Sequence, residues 1–461
     1  MQKPMIKPES TYLKENDDLT LPKVRLRILL SAHECSPAQG SECSVGWNLA
    51  VRLGKYHDIT LLCASGSQTS TRSYRAAIEA YLRGHGPING VRIVYVDQTR
   101  LSRFLAAVNI ALTGVSDGVG NRLLFLLALK SWHRSAAGTA RKLGISNFDL
   151  VHHLNPIAYW GVGQLWKLPR PFCWGPVGGM FTVPPRIARW LGWRSTLLEM
   201  LRKMNRYWAS GRVRKIAERA SVIWAVSSAE ANVIHNASGR AARLMVDTGT
   251  ASGVVGRIRC YHGDRKLLLC WSGRHWAPKA LPILLYALSS SPRTPMVSVL
   301  VLGDGPETQA WKKLAFDLGL SGVIRWTGNL PHGEAIAQMG TADILVHTSV
   351  REAASSVLME ALPLGMPVVC HDASGMGVVV NDACGFKIPL KGPDESILGF
   401  RTAIERFFSD KGLLERMSAG ALKRASELTW DAKAAEIASA YRECVSAARI
   451  RQGPDGLHPT L

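Results

Sequence analysis

No stretch of the chain supplies the about 20 uninterrupted apolar residues that a membrane-spanning helix needs. The nearest run, Leu101 to Leu129, is interrupted by Arg103, Asp117 and Arg122. It suits two helices with core-facing residues, or a segment that lies on a bilayer without crossing it. The nine cysteines are odd in number, scattered from Cys35 to Cys444, and no two have C-x-x-C spacing. A disulfide scaffold is thereby excluded, and reduced thiols in a cytosolic protein are expected. Internal repeats, low-complexity tracts and an Asp-x-Asp pair for a divalent ion are also missing. Acidic residues are scarce: 35 Asp and Glu face 56 Lys and Arg, a formal net charge of +21. Such a balance points to an anionic partner. The segment before Lys23 mixes Lys, Glu and Asp without an apolar run, so neither a signal peptide nor an anchor is expected there.

What is present is size and alternation. With 461 residues, 47% of them hydrophobic, the chain can bury two substantial cores. Short continuous apolar runs occur at Ile28–Ser31, Ile59–Cys63, Val91–Val96, Leu150–His153, Phe172–Trp174 and Val222–Val226. They recur at Leu267–Trp271, Val297–Val301, Val323–Trp326, Ile344–His347, Val368–Cys370 and Phe386–Ile388. Longer helical stretches separate them, which is the signature of parallel sheets covered on both faces. The expected division is a loose segment 1–22, a first α/β domain 23–240, a Gly/Arg/Ser/Thr-rich hinge 241–265 and a second α/β domain 266–430. A terminal helix 431–449 follows, and then a loose tail 450–461.

Open parallel sheets bind ligands beyond the carboxyl ends of their strands, so the informative residues follow each run. After the first come Cys35-Ser36-Pro37 and Gly40-Ser41-Glu42, then a helix starting near Val45. A glycine ahead of a helix lets backbone N–H groups approach an anion. After Leu267–Trp271, Gly273 leads into Arg274 and Lys279, a guanidinium fork and a point charge spaced to hold two adjacent phosphates. Gly303-Asp304-Gly305-Pro306 and Thr327-Gly328-Asn329 leave room for a flat or charged ligand against main chain. Glu352 and Glu360 flank a helix start at Ser355-Ser356, one in the loop and one a turn inside, and each carboxylate can accept from vicinal hydroxyls of a sugar ring. Taken singly, each piece also suits a tight turn, a solvated basic loop or a helix surface.

In order and spacing, Gly303-Asp304-Gly305-Pro306, Arg274 with Lys279, Glu352-x7-Glu360 and Gly365-Met366-Pro367-Val368-Val369 resemble the retaining family-4 (group 1) glycosyltransferases of GT-B fold, over Lys23 to Tyr441. The first half, through Gly40-Ser41-Glu42, Val45-Gly46-Trp47-Asn48 and Trp174-Gly175-Pro176-Val177-Gly178-Gly179, is similar to a bacterial exopolysaccharide and lipopolysaccharide-assembly branch. The resemblance implies two Rossmann-like, doubly wound parallel-sheet domains facing a central cleft, with the terminal helix 431–449 packing back on the first domain. It also implies a nucleotide-diphosphate sugar as donor, a glycan acceptor that is lipid-linked, and no metal or other cofactor. Arg274 and Lys279 would hold the diphosphate, Glu360 the ribose hydroxyls and Glu352 the transferred sugar. Gly40 would face the phosphates from the first domain, and Gly273, Gly303, Gly328, Ala354, Ser355 and Ser356 would line the donor. The family's glycines after the first Glu are Ala353, Ala354 and Ser355 here. The active-site imidazole is His152 or His153, with His153 favoured because it stands nearer the loop. A cytoplasmic protein attached peripherally to the anionic inner face of the cell membrane follows from the acceptor and the charge.

Two other readings share part of the pattern. A nucleotide-sugar epimerase can use the same architecture, and +21 suits a nucleic-acid-binding protein. No RNP segment, zinc finger or helix-turn-helix stands out, however, so nucleic acid is not expected as a partner.

Overall fold

The computed structural model describes residues 24–37, 42–67, 73–113, 121–251, 253, 256–353 and 355–452. The first half runs β1 (Arg27–Ala32), α1 (Glu42–Leu53), β2 (Asp58–Ala64), α2 (Tyr74–His85), β3 (Val91–Val96), α3 (Arg100–Thr113), α4 (Arg122–Lys142), β4 (Leu150–Asn155), β5 (Phe172–Val177), α5 (Pro185–Trp190), α6 (Trp193–Arg219), β6 (Val222–Ala225), α7 (Ser228–Ser238) and β7 (Arg243–Leu244). The second runs β8 (Leu267–Ser272), α8 (Leu281–Ser289), β9 (Val297–Leu302), α9 (Thr308–Asp317), β10 (Ile324–Gly328), α10 (His332–Met339), β11 (Ile344–His347), α11 (Ser356–Ala361), β12 (Val368–Asp372), α12 (Met376–Val379) and β13 (Gly385–Pro389), then α13 (Pro393–Ser409), α14 (Leu413–Glu427) and α15 (Trp430–Gln452). Among the described residues no helix is long and apolar enough to cross a membrane.

The strands form two sheets, in the orders β3-β2-β1-β4-β5-β6-β7 and β10-β9-β8-β11-β12-β13. Neighbours pair in parallel throughout, so each sheet is buried on both faces and its strands read as unbroken apolar runs. Every run expected to be a strand is one. In each sheet the order reverses once, between β1 and β4 and between β8 and β11, and these reversals open a crevice at the carboxyl ends of the flanking strands.

Two departures from the expected layout concern the joint. Within 241–265, Arg243–Leu244 pairs with β6 and so extends the first sheet. Arg259 is already anchored in the second half, its buried guanidinium donating to the carbonyls of Gly340 and Leu364 at 3.1 and 3.0 Å. The hinge is therefore narrower than the composition suggests. It is also double: Thr250 N donates to Leu428 O at 3.0 Å and Thr250 Oγ1 to Ala425 O at 2.6 Å, so the outgoing and returning chain run side by side.

Each half lends an element to the other. Ile437, Ala438, Tyr441 and Val445 of α15 are buried in the core beneath β1, β2 and β4. In the opposite direction, Val183, Ile187 and Ala188, in and just before α5, are buried among residues of β8, β9, α8 and α13. Arg186 of α5 pairs with Glu395 of α13, and Glu199 of α6 with Arg351 beyond β11.

Candidate active site at the carboxyl ends of the two sheets

The loops after β8 and β11 are bound to one another before any charge is considered. The fully buried Trp271 donates from Nε1 to Thr348 Oγ1 at 2.9 Å, and that hydroxyl donates to Lys279 O at 2.9 Å. Val350 N donates to Pro278 O at 2.9 Å. This lacing brings Lys279 Nζ into an ion pair with Glu352 Oε1, while His347 Nε2 stands 3.4 Å from the same oxygen. Burial pushes the Glu352 carboxyl up, but the His347 imidazole and the Lys279 ammonium outweigh it and bring the group down to about 2. His347 is held below its ordinary value by burial, with Lys279 adding and Glu352 opposing. At neutral pH the cleft therefore presents an ionised Glu352, and the buried imidazole behind it is neutral.

Arg274 is exposed one residue past Gly273, its guanidinium 4.1 Å from the centre of the Trp276 ring. The glycine turns beside it are close-packed: Gly273 N donates to Leu302 O at 3.1 Å and Gly303 N to Gly328 O at 3.0 Å. A Cβ on Gly303, whose φ is +109°, would lie 2.1 Å from Gly273 O, so only glycine allows these turns to meet. Gly273, Gly303 and Gly328 thus form one floor next to Arg274. Ser355 is buried ahead of α11, Ser356 opens the helix and Glu360 is half-buried one turn in. Burial raises the Glu360 carboxyl, with His332 opposing. Gly40 and Ala354 lie outside the described residues.

At the crevice of the first sheet, the two adjacent histidines have different surroundings. His152 is engaged at both nitrogens, Nδ1 with the Tyr441 hydroxyl at 2.5 Å and Nε2 with Gly175 O at 2.7 Å, which ties β4 to α15 and β5. His153 points to the opposite face, with Nε2 3.3 Å from Pro156 O and its ring 5.8 Å from that of His133. His33, beyond β1, packs edge-on against Trp132 at 4.7 Å. Burial lowers His33 to about 3 and His153 to about 4, so these imidazoles are neutral at physiological pH.

A group the sequence did not single out connects the halves. Asp247, in the hinge, is buried, and burial pushes its carboxyl up to about 6 despite Lys433. Glu352 adds to that rise from the second domain. Asp247 in turn adds to the upward shift of Glu42 at the start of α1, whose first cause is burial and second Glu34. Lys433, lowered to about 8 by burial, donates to Val246 O at 2.9 Å. The line Glu42, Asp247, Glu352 thus runs from one domain to the other within electrostatic reach. His347 carried a faint signal, a histidine ending an apolar strand five residues before Glu352. Asp247 and Lys433 carried none, because their importance arises only where the double hinge brings them together. Among the described residues no group of three or more His, Cys, Asp or Glu is placed to hold a metal ion.

Residues 262–424 match the family model of glycosyl transferases group 1. A D-inositol 3-phosphate glycosyltransferase of Streptomyces bingchenggensis is 31% identical over 190 residues, 39% of this chain and 41% of that protein. The lipopolysaccharide core biosynthesis glycosyltransferase LpsE of Rhizobium meliloti is 31% identical over 146 residues, 32% of this chain and 41% of its own. Both matches thus span less than half of the relative's length. Among solved structures, sucrose-phosphate synthase from Thermosynechococcus elongatus superposes with a TM-score of 0.62 at 16% identity, covering 92% of this chain and 100% of that one. HepE of Anabaena in complex with UDP-glucose gives 0.52 at 18% identity, with 92% and 100% covered. At such identities the likeness is one of fold. The chain has the two-domain GT-B fold, and its residues 262–424, which carry Arg274, Lys279, Glu352 and Glu360, match the group 1 glycosyl transferases.

Proposed function

We propose that the chain transfers a sugar, with retention of anomeric configuration, from a nucleotide-diphosphate sugar to a hydroxyl of a lipid-linked glycan in bacterial polysaccharide assembly. The observation that carries this reading is the half-buried Lys279–Glu352 pair, held at the reversal of the second sheet beside the glycine floor and the Arg274 guanidinium. A uridine diphosphate sugar is the first donor to test, since HepE was solved with UDP-glucose.

In this reading Lys279 and Arg274 face the diphosphate. As the bond between the anomeric carbon and the phosphate oxygen breaks, charge builds on that oxygen, and fixed cations stabilise it without reorganising. The acceptor oxygen forms the new bond to the anomeric carbon from the same face, and its proton goes to the departing phosphate. Glu352, ionised and oriented by His347, accepts from hydroxyls of the transferred sugar. Glu360 holds the ribose, and neutral His153 borders the acceptor side. Neither carboxylate needs to form a covalent intermediate, and the cations take the part that a metal would otherwise play.

The test is to incubate the protein with UDP-glucose and other nucleotide sugars, with and without a lipid-linked glycan primer, and to follow the anomeric signals by NMR. Release of nucleoside diphosphate that depends on acceptor, with a product of unchanged anomeric configuration, is expected. An epimerised nucleotide sugar formed without acceptor would contradict the transferase reading.

A further inference from the structure

Most of α6 is built inside out. On the side turned to the protein it carries charge: Glu199 accepts from Val183 N at 3.1 Å and pairs with Arg351 and Arg202, and Arg206 donates to Met180 O at 2.8 Å. The residues of the helix that are fully buried, Val213, Ile216 and Ala217, all belong to its last turns. At 3.6 residues per turn, Trp193, Leu197, Met200, Met204, Tyr207 and Trp208 fall on one stripe of the opposite side. All six are exposed, Trp193 by 72%, Met200 by 68%, Tyr207 by 77% and Trp208 by 74%. A continuous apolar and aromatic stripe of this length on a helix whose polar side faces inward is a contact surface.

We propose that this stripe docks on a lipid bilayer with anionic headgroups. The complementary charge is at its edges: from Arg186 to Arg219 there are 10 Lys and Arg against two Glu, Glu199 and Glu218, and of these cations the exposed Arg194, 5.4 Å from the centre of the Trp193 ring, and the exposed Lys203 border the stripe on either side. Both glutamates are already paired, Glu218 with Arg214 at 2.7 Å. Tryptophan and tyrosine beside cations suit the headgroup level of a membrane, where the rings meet the acyl boundary and the cations meet phosphate. A second copy of this chain is a poorer occupant, since each copy brings the same cations and a net charge of +21. A packed seam through the buried Tyr159 and Phe125 joins α6 to the neighbouring helices. The turn at Tyr159 and Trp160 links α6 to α4, with Asn205 donating to the Tyr159 hydroxyl at 3.4 Å and Phe125 edge-on to Trp160 at 6.3 Å. Beyond it, Phe104 and Leu112 of α3 and Leu123 of α4 are exposed as well.

The inner side of α6 reaches the cleft directly, because Glu199 holds Arg351, the neighbour of Glu352. Docking through α6 would therefore set the donor side of the cleft beside the bilayer, where a lipid-linked acceptor lies. This purpose rests on the transferase reading, whereas the docking itself does not.

The full chain is mixed with vesicles of phosphatidylglycerol and phosphatidylcholine in equal parts, or of phosphatidylcholine alone, and sedimented. Wild type should pellet with the anionic vesicles, and Trp193→Ser/Met200→Ser/Trp208→Ser should lower that recovery about tenfold or more while melting at the wild-type temperature. A wild type that stays in the supernatant would overturn the proposal, as would a triple variant that pellets normally. Loss of pelleting in Phe104→Ser/Leu112→Ser with the α6 variant unaffected would move the contact to α3 and overturn it too. A dimer in sedimentation equilibrium that the triple variant dissolves, without vesicle binding, would assign the stripe to a second copy. The thermal response to UDP-glucose, measured on the same preparations, reports on the cleft alone: its absence together with normal, α6-dependent pelleting would remove the transferase reading and leave the docking standing.

Discussion

Lys279 and Glu352 were legible as motif members, but their pairing was not. The sequence places them on different parts of a donor, and only the Trp271–Thr348–Lys279 lacing shows that they hold each other in place. Lys279→Ala should therefore lower transfer by about 10²-fold or more, the loss expected on removing one preorganised donor to a developing negative charge. Steady-state kinetics with circular dichroism as the folding control checks this, and wild-type turnover would remove Lys279 from the reaction. The pair also has an acid signature. Because folding brings the Glu352 carboxyl down to about 2 from an ordinary 4.5, its stabilising contribution is complete above 4.5 and is lost as pH falls towards 2. Glu352→Gln should remove on the order of 2–3 kcal/mol of that acid dependence and be the less stable protein at pH 7. Urea midpoints of both proteins at pH 7 and at pH 3.5 test the sign, and parallel pH dependences would contradict it.

At the scale of elements, the strands were readable because parallel strands buried on both faces are unbroken apolar runs. β7 was missed because two residues carry no periodicity. The case of α6 has a different cause. Periodicity shows that a helix has an apolar stripe but not which way the stripe faces. The attention drawn to Leu101–Leu129 fell on α3 and α4, where the same residues divide: Leu105, Phe125 and Leu129 are buried, while Phe104, Leu112 and Leu123 are exposed. α15 was readable as a helix, and its partner shows in the hydrogen bond from Tyr441 to His152, a contact across 289 positions that no local pattern contains. Tyr441→Phe keeps the ring and leaves His152 Nδ1 without its partner in a fully buried place. The cost should be about 1–3 kcal/mol, the penalty for an unsatisfied buried group. An unchanged urea midpoint would show that the α15 anchor is apolar packing alone.

At the scale of the molecule, the two domains are joined by more than the double hinge at Thr250. The Arg186–Glu395 and Arg351–Glu199 pairs cross between them, and α5 is buried in the second core. Arg186 also reaches Asp394 at 3.7 Å, so Glu199→Gln with Arg186→Gln removes the ionic ties and leaves the cores intact. The double variant should show a larger radius of gyration by small-angle scattering than wild type, and saturating nucleotide sugar should reduce it, because closure brings both half-sites onto one ligand. The same radius in both proteins would mean that the apolar contact of α5 sets the domain angle by itself. The division into halves could be read from the restarting strand pattern. The return of α15 to the first domain was expected from the family resemblance and is observed, whereas the crossing of α5 was not foreseen, since it is an ordinary helix in sequence and becomes a strap only through the fold.

The central claim is that Lys279, with Arg274, receives the diphosphate of a nucleotide sugar beside Glu352. Thermal unfolding of wild type and Lys279→Ala in the presence of UDP, GDP, ADP and UDP-glucose tests it most directly, since a ligand at 100 times its dissociation constant adds about 2.7 kcal/mol to the folded state. The account predicts that at least one of these ligands raises the wild-type midpoint by several degrees and that the rise is largely lost in Lys279→Ala. No response to any of the four, or an equal response in both proteins, would contradict it.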